Sequence, residues 1–252
     1  MIEVFLLSII QGITEFLPVS SSAHLILISK YFNFDNQNIT LDMSLHIGSL
    51  LAVIIYFKND LFNFAKNKTI FYKILLSSIP VMMIGYLFVK LDIVEYLRNY
   101  KIIGWMTIIF GIFLYFTDRA EVKKSINTDF NFKSAIYIGF FQVLSLVPGV
   151  SRSGITISAA RILNFNRTDS VKISFLLSIP TLSAVSFFNI INLYQTNNLN
   201  LSILNITAIL LSFIFSYLTI KYFLVYIKKF SLNIFVIYRI LLGLTILFFS
   251  YL

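Results

Sequence analysis

The sequence predicts an all-α integral membrane protein, with six transmembrane helices and two re-entrant helical hairpins in an inverted-topology repeat. Three observations lead there. Of 252 residues, 58% are hydrophobic and only 12% charged, and the mean hydropathy is +0.85. A soluble domain of this length cannot bury so much apolar surface, so lipid must be the solvent. Six segments are apolar over about the 20 residues that a crossing needs. Two further stretches are apolar runs broken by Pro, Ser and Gly, and the two read alike.

In chain order, the first stretch is 3–32, an apolar run, a polar break and a second run. Each half has roughly 10–14 residues, too short to span and typical of a re-entrant segment. Spans follow at 41–57, 70–90 and 102–117, the first and third of them short. The second broken stretch is 133–163, followed by spans at 171–193, 203–227 and 233–252. Pro80 and Pro180 fall inside two spans, where a kink is tolerated if neighbours re-satisfy the backbone. Asp118 and Arg119 read as a solvated span end. The N-terminus is not expected to be a cleaved leader, because Glu3 stands where a basic region belongs and polar residues interrupt the run.

The breaks run Q-G-I-T-E-F-L-P-V-S-S-S-A-H from Gln11 to His24 and Q-V-L-S-L-V-P-G-V-S-R-S-G-I-T from Gln142 to Thr156. Both go from Gln through apolar residues and Pro to a Ser-rich turn that opens a new helix. Residues 1–252 therefore form a single membrane domain made of two repeats, 3–117 and 133–252. A hairpin returns to its own side and three spans are an odd number, so the second repeat starts on the opposite face. The face opposite the N-terminus carries twelve Lys or Arg (58, 66, 68, 119, 123, 124, 133, 161, 167, 172, 228 and 229). The N-terminal face carries four, at 30, 90, 98 and 101. That bias puts both termini outside the cytoplasm.

The composition excludes several classes. With no Cys there is no disulfide framework, haem attachment or zinc-thiolate site. Two His and few acids argue against a multi-His metal centre. The net charge of +9 is spread over short loops, which fits membrane orientation and not a nucleic-acid partner. If the hairpins meet, their tips pool Gln11, Glu15, Ser20, Ser21, Ser22 and His24 with Ser151, Arg152, Ser153 and Thr156. Gln11 and Glu15, four apart, share a helix face. Ionisable groups at membrane depth are costly and usually mark function. Two Ser-rich helix N-termini beside the Arg152 fork make an anion site, with phosphate the natural ligand. Structural readings stand beside this one. The serines can let helices pack closely, Glu15 and Arg152 can be an ion pair joining the repeats, and His24 can be a helix-end hydrogen-bonding residue. Arg239 is either a buried packing partner or a second phosphate contact, and His46 is equally open.

E-F-L-P-V-S-S-S-A-H (15–24) and P-G-V-S-R-S-G-I-T (148–156) resemble the two signature motifs of the bacterial undecaprenyl-diphosphatase family, known for bacitracin resistance. Lesser matches lie at H-I-G-S-L-L-A-V (46–53) and F-V-I-Y-R-I (235–240), so the resemblance covers the whole chain. It implies hydrolysis of undecaprenyl diphosphate, a polyprenyl diphosphate lipid, to undecaprenyl phosphate and phosphate, which recycles the carrier of cell-wall synthesis. It also implies a bacterial inner-membrane location, a site open to the outer face, and a divalent cation, Mg²⁺ or Ca²⁺. A homodimer is compatible with it. The family's site falls on Glu15, Ser21, His24, Ser151, Arg152 and Thr156. Arg152 with the hydroxyls of Ser151, Ser153 and Thr156 would hold phosphate oxygens. Glu15 would bind the cation or act as base. Ser21 or a water would attack, with His24 or Glu15 as base. The family has Glu or Gln at the position of Gln11; with Gln there, one carboxylate fewer faces a metal, and the cation is expected to be weakly held. Ala23 replaces a frequent Gly. A carrier of polyprenyl phosphate lipids, or a protein that only binds them, would use the same architecture.

Overall fold

A computed structural model of the chain describes residues 2–32, 39–66, 68–195 and 202–252. These residues are almost wholly helical. In order they form α1 (Ile2–Thr14), α2 (Ser21–Tyr31), α3 (Ile39–Tyr56), α4 (Lys58–Lys66), α5 (Lys68–Lys90), α6 (Ile93–Leu97) and α7 (Tyr100–Asp118). There follow α8 (Ile126–Asp129), α9 (Phe132–Val143), a 3₁₀ turn (Leu144–Leu146), α10 (Arg152–Ile162), α11 (Arg167–Gln195), α12 (Ile203–Ile227) and α13 (Asn233–Tyr251). Helices α5, α7, α11, α12 and α13 are long and apolar enough to cross a membrane. The expected first span is the exception: its apolar stretch, Thr40–Tyr56, falls short of that length. Pro80 and Pro180 lie inside α5 and α11, which continue through them.

Both expected breaks are present, and their causes are local. Helix α1 stops four residues before Pro18. Proline has no N–H to extend a helix, and it disfavours helical backbone in the residue before it. Helix α9 tightens to the 3₁₀ turn and stops before Pro148. Gly149 then takes φ +96°, and a Cβ there would lie 2.5 Å from the Ile103 carbonyl oxygen of α7. Only glycine fits a left-handed backbone pressed that close to another helix.

In lipid, apolar side chains gain little by meeting one another, so helices associate through small residues that let backbones approach. Helix α3 runs along α12 on such a seam. Ser49 Oγ lies 3.2 Å from Ser212 Oγ and 3.0 Å from Ser216 Oγ, and Ser212 donates to the Leu45 carbonyl at 2.7 Å. Helix α5 meets α9 where Ser77 donates to the Ala135 carbonyl at 2.8 Å. Helix α7 lies along α13, and α1 along α12. Large apolar side chains such as Leu210, Ile237 and Phe248 stay exposed on the outer flanks.

The end of α7 departs from expectation. Asp118 is not solvated but buried, and it accepts from Arg167 at 2.7 and 3.0 Å and from the Leu232 N–H at 3.1 Å. Arg161, also buried, donates to the carbonyls of Phe165, Asp118 and Ala120. This cluster ties α7, α10, α11 and the start of α13 together. Arg119 is exposed, as expected, and covers the Tyr115 ring.

The α3–α12 seam gives a test. A Cβ on Gly48 would lie 2.5 Å from the Ile209 carbonyl oxygen and 2.9 Å from the Phe213 nitrogen, both backbone atoms that cannot swing away. Gly48→Ala should destabilise the protein by about 1–3 kcal/mol through overpacking. Gly85→Ala, whose Cβ meets the mobile Leu146 Cδ2 at 3.3 Å, should leave the detergent melting temperature unchanged. Equal melting of the two variants would refute the seam.

Candidate active site

The two breaks meet. Each hands over to its second helix through a serine with left-handed backbone, Ser20 at φ 73° and Ser151 at φ 71°. Such values are uncommon outside glycine and cost of order 1–3 kcal/mol unless the surroundings enforce them. Here the surroundings do so in the same way twice. Ser20 Oγ pairs with Ser22 Oγ at 3.3 Å, and Ser151 Oγ pairs with Ser153 Oγ at 3.2 Å. Ser151 also caps α10 by accepting from the Gly154 N–H.

Arg239 of α13, fully buried, joins the two breaks from behind. Its Nη1 donates to the Pro18 carbonyl at 3.4 Å. Its Nη2 donates to the carbonyls of Gly149 and Val150 at 2.8 and 3.0 Å, and its Nε to that of Thr107 at 3.2 Å. Of the two sequence readings of Arg239, the geometry matches the packing partner. A second strap is Ser153, whose hydroxyl donates to the Leu17 carbonyl at 2.7 Å.

Glu15 sits where the breaks touch. Its Oε1 accepts from Arg152 Nη2 at 2.5 Å. Its Oε2 accepts from the Ser21 hydroxyl at 2.6 Å and from Gln11 Nε2 at 2.9 Å. Gln11 Nε2 also reaches His46 Nδ1 at 2.9 Å. An amide nitrogen can only donate, so the neutral His46 accepts at Nδ1 and carries its proton on Nε2. Four predicted residues therefore converge, and His46, which the sequence left undecided, joins them from α3.

Three other predicted residues, His24, Ser153 and Thr156, are turned away from this cluster. His24 Nδ1 lies 2.7 Å from the Ser20 carbonyl, which can only accept, so Nε2 accepts from the Tyr238 hydroxyl at 2.6 Å. Both ring nitrogens of His24 are thus committed, one of them to the carbonyl of a left-handed serine. Thr156 Oγ1 lies 2.8 Å from the Arg152 carbonyl and 2.7 Å from Ser174 Oγ, so it braces α10 against α11. Ser153 is spent on Leu17, as described. Tyr238 was not singled out in the sequence, because one more aromatic residue in an apolar span carries no signal.

Glu15, Ser20, Ser21, Ser22, His46, Ser151 and Arg152 line one cavity of about 1780 Å³. Its walls are largely apolar faces of α5 and α11, among them Val81, Tyr86, Leu182, Val185 and Phe187. Asp42, Arg98, Ser202 and Asn205, near the helix ends, add polar groups to the same lining. The end beside Glu15 and Arg152, the floor, is therefore polar and charged, and the walls are largely apolar.

Among the described residues, no group of three or more His, Cys, Asp or Glu could hold a metal. What the floor offers a cation is one carboxylate and the Ser21 hydroxyl bonded to it; the amide oxygen of Gln11 is buried without a partner but does not border the cavity. Arg152 already neutralises that carboxylate. The set fits a divalent ion shared with substrate oxygens, as Mg²⁺ commonly is, and does not make a protein-only cage.

Residues 4–245 match the family model described as bacitracin resistance protein BacA. The chain is 48% identical over 252 residues to the undecaprenyl-diphosphatase of Pelagibacter ubique, covering 99% of this chain and 98% of that protein. It is 38% identical over 249 residues to that of Saccharophagus degradans, covering 94% and 93%. It is 38% identical over 266 residues to that of Campylobacter curvus, covering 98% of each.

Arg239 lies behind the breaks, so its test separates support from contact. Arg239→Met should leave carbonyls of both breaks unpaired, at about 1–3 kcal/mol for each buried one. The detergent melting temperature should fall, and Arg239→Lys, which keeps the charge but not the fork, should recover only part of it. Wild-type melting in Arg239→Met would show that the clamp is not needed.

Proposed function

The chain belongs to the bacitracin resistance protein BacA family, and we infer from this membership that it is an undecaprenyl-diphosphatase. It hydrolyses undecaprenyl diphosphate to undecaprenyl phosphate and inorganic phosphate. The observation that carries the site assignment is the convergence of Glu15, Ser21 and Arg152 on the floor of an apolar-walled cavity. Apolar walls suit a prenyl chain, and a charged floor suits its diphosphate.

Phosphoryl transfer asks mainly for charge neutralisation and alignment. Arg152 and Ser151 both border the cavity, and the N–H groups of Arg152 not bonded to Glu15 would hold oxygens of the terminal phosphate. Arg239 adds a buried positive charge behind the floor that no carboxylate offsets among its hydrogen-bond partners. Ser21 already donates its hydroxyl proton to Glu15 at 2.6 Å. This supports Ser21 as nucleophile with Glu15 as base. Oγ would bond to the terminal phosphorus, the bond to the bridging oxygen would break, and undecaprenyl phosphate would leave. Water would then hydrolyse the phosphoserine. A water activated by the same carboxylate is the other route. His24, with both nitrogens committed, is better suited to holding the Ser20 turn than to chemistry. A divalent cation, held by Glu15 and the diphosphate itself, would supply further neutralisation of phosphoryl charge.

The full architecture, six spans and two re-entrant hairpins as an inverted repeat, is part of the same proposal. Three features support it. Gln11 and Gln142 each stand nine residues before a left-handed serine. The Ser–Ser pairs recur at the same spacing. The packing pairs also exchange between halves. If α1, α2, α3, α5 and α7 correspond to α9, α10, α11, α12 and α13, the contact of α1 with α12 becomes that of α9 with α5. Likewise the contact of α3 with α12 becomes that of α11 with α5, while α7–α13 and α3–α11 map onto themselves. Arg98 and Ser202, in loops of the Lys/Arg-poor face, border the cavity, which supports a site reached from the outside of the inner membrane.

Topology is testable because the chain has no native Cys. Leu91 and Lys123 are both exposed. An impermeant thiol reagent on intact cells should label Leu91→Cys and spare Lys123→Cys; labelling of both would refute the orientation.

The activity test is phosphate release by purified protein in detergent, with and without chelator. Arg152→Lys keeps the charge but loses the planar fork, and turnover should fall by about 10²-fold or more, as when a transition-state donor is removed. Near-wild-type turnover would reduce Arg152 to a structural ion pair. Movement of labelled lipid across proteoliposomes without phosphate release would replace the hydrolase by a carrier.

A further inference from the structure

Gln142, on α9, has 0% exposure, and both ends of its amide lack a hydrogen-bond partner. Among the described residues, the other buried side chains with an unpartnered atom each leave a single atom so. An orphaned buried polar group costs about 1–3 kcal/mol, and Gln142 carries two. A position filled by an amide at that cost, where Leu or Met would pack as well, calls for a partner.

The surroundings indicate which partner. Gln142 borders the same cavity as Glu15, Ser21 and Arg152. It stands nine residues before the left-handed Ser151, as Gln11 stands nine before Ser20. Gln11 uses its amide nitrogen on Glu15, four residues on. The matching position after Gln142 is Leu146, which also borders the cavity. The second repeat thus keeps the amide but has no carboxylate to receive it. Ser145 offers no substitute, since its hydroxyl donates to the Gln142 backbone carbonyl at 2.7 Å.

We propose that Gln142 is a substrate-contacting residue whose amide nitrogen donates to a phosphate oxygen of the lipid diphosphate, the anion taking the place that Glu15 holds opposite Gln11. This rests on the diphosphatase reading above. A neutral donor there adds no charge, so it holds a phosphate oxygen without competing with Arg152 for Glu15. The amide oxygen, which a phosphate cannot satisfy, accepts from a water that enters with the ligand.

The experiment compares wild type, Gln142→Leu and Gln142→Glu in detergent. Three quantities are read: phosphate release from a short-chain prenyl diphosphate, the inhibition constant of inorganic diphosphate, and the melting temperature without ligand. Gln142→Leu should raise both KM and the inhibition constant at least tenfold, the range of a hydrogen bond to a charged group. Its melting temperature should stay level or rise, because an apolar side chain removes the orphaned amide. Gln142→Glu, which sets a negative charge against the anion, should weaken diphosphate further still. An unchanged inhibition constant in Gln142→Leu overturns the proposal. So does a fall in its unliganded melting temperature without a change in that constant, which would make Gln142 a packing residue. A wild type that neither releases phosphate nor binds diphosphate would instead count against the diphosphatase reading.

Discussion

The site depends on one buried guanidinium. Arg239 donates to carbonyls of Pro18, Gly149, Val150 and Thr107, and so binds both broken segments and α7 at once. Broken helices in an apolar medium expose carbonyls that water cannot reach, and an unsatisfied group there costs several kcal/mol. A planar fork with five N–H donors can serve carbonyls in several directions, which an ammonium on a flexible stem does less well. With the backbone of each break fixed from behind, the left-handed serines are held. With the serines held, Ser21 and Arg152 open their helices facing Glu15. The gap that Gly154 leaves belongs to the same arrangement, since a Cβ there would lie 2.9 Å from Arg239 Nη1.

The two halves keep a common skeleton and divide the chemistry. Ser21 and Arg152 follow the two left-handed serines and occupy equivalent positions, yet both bond the same carboxylate. Glu15 has Leu146 as its counterpart. One half therefore supplies an acid and a hydroxyl, and the other supplies a cation. A symmetric pair of such tips would set like charges against each other at membrane depth. The asymmetric pair neutralises itself, and under the proposed function the guanidinium is what it would share with a phosphate.

Much of this was legible in the sequence, for physical reasons. Hydropathy locates spans because lipid demands apolar surface, and the Gln–Pro–Ser phrases mark breaks because proline cannot extend a helix. The convergence of Gln11, Glu15, Ser21 and Arg152 followed from supposing that the breaks meet. What could not be read was direction. His24, Ser153 and Thr156 lie in the same motifs, but their hydrogen-bonding atoms turn to Tyr238, Leu17 and Ser174. A motif fixes which residues are near a turn and leaves open which of them face the cavity. Asp118 shows the same limit: at a span end water is the default partner, and only the fold brings Arg167 and the Leu232 N–H to it.

The cavity's lining is of two kinds, apolar and polar, and this bears on the fate of products. Tyr86, Val185 and Phe187 of α5 and α11 line it with much of their surface exposed, whereas Asp42, Arg98 and Asn205 set polar groups in the same lining. Under the proposed hydrolysis, a prenyl phosphate stays in the leaflet and diffuses in two dimensions. A free phosphate enters bulk water and is diluted in three. Recombination then requires both to return to one floor by separate routes. A lining of two kinds thus suits a reaction whose two products belong to different phases.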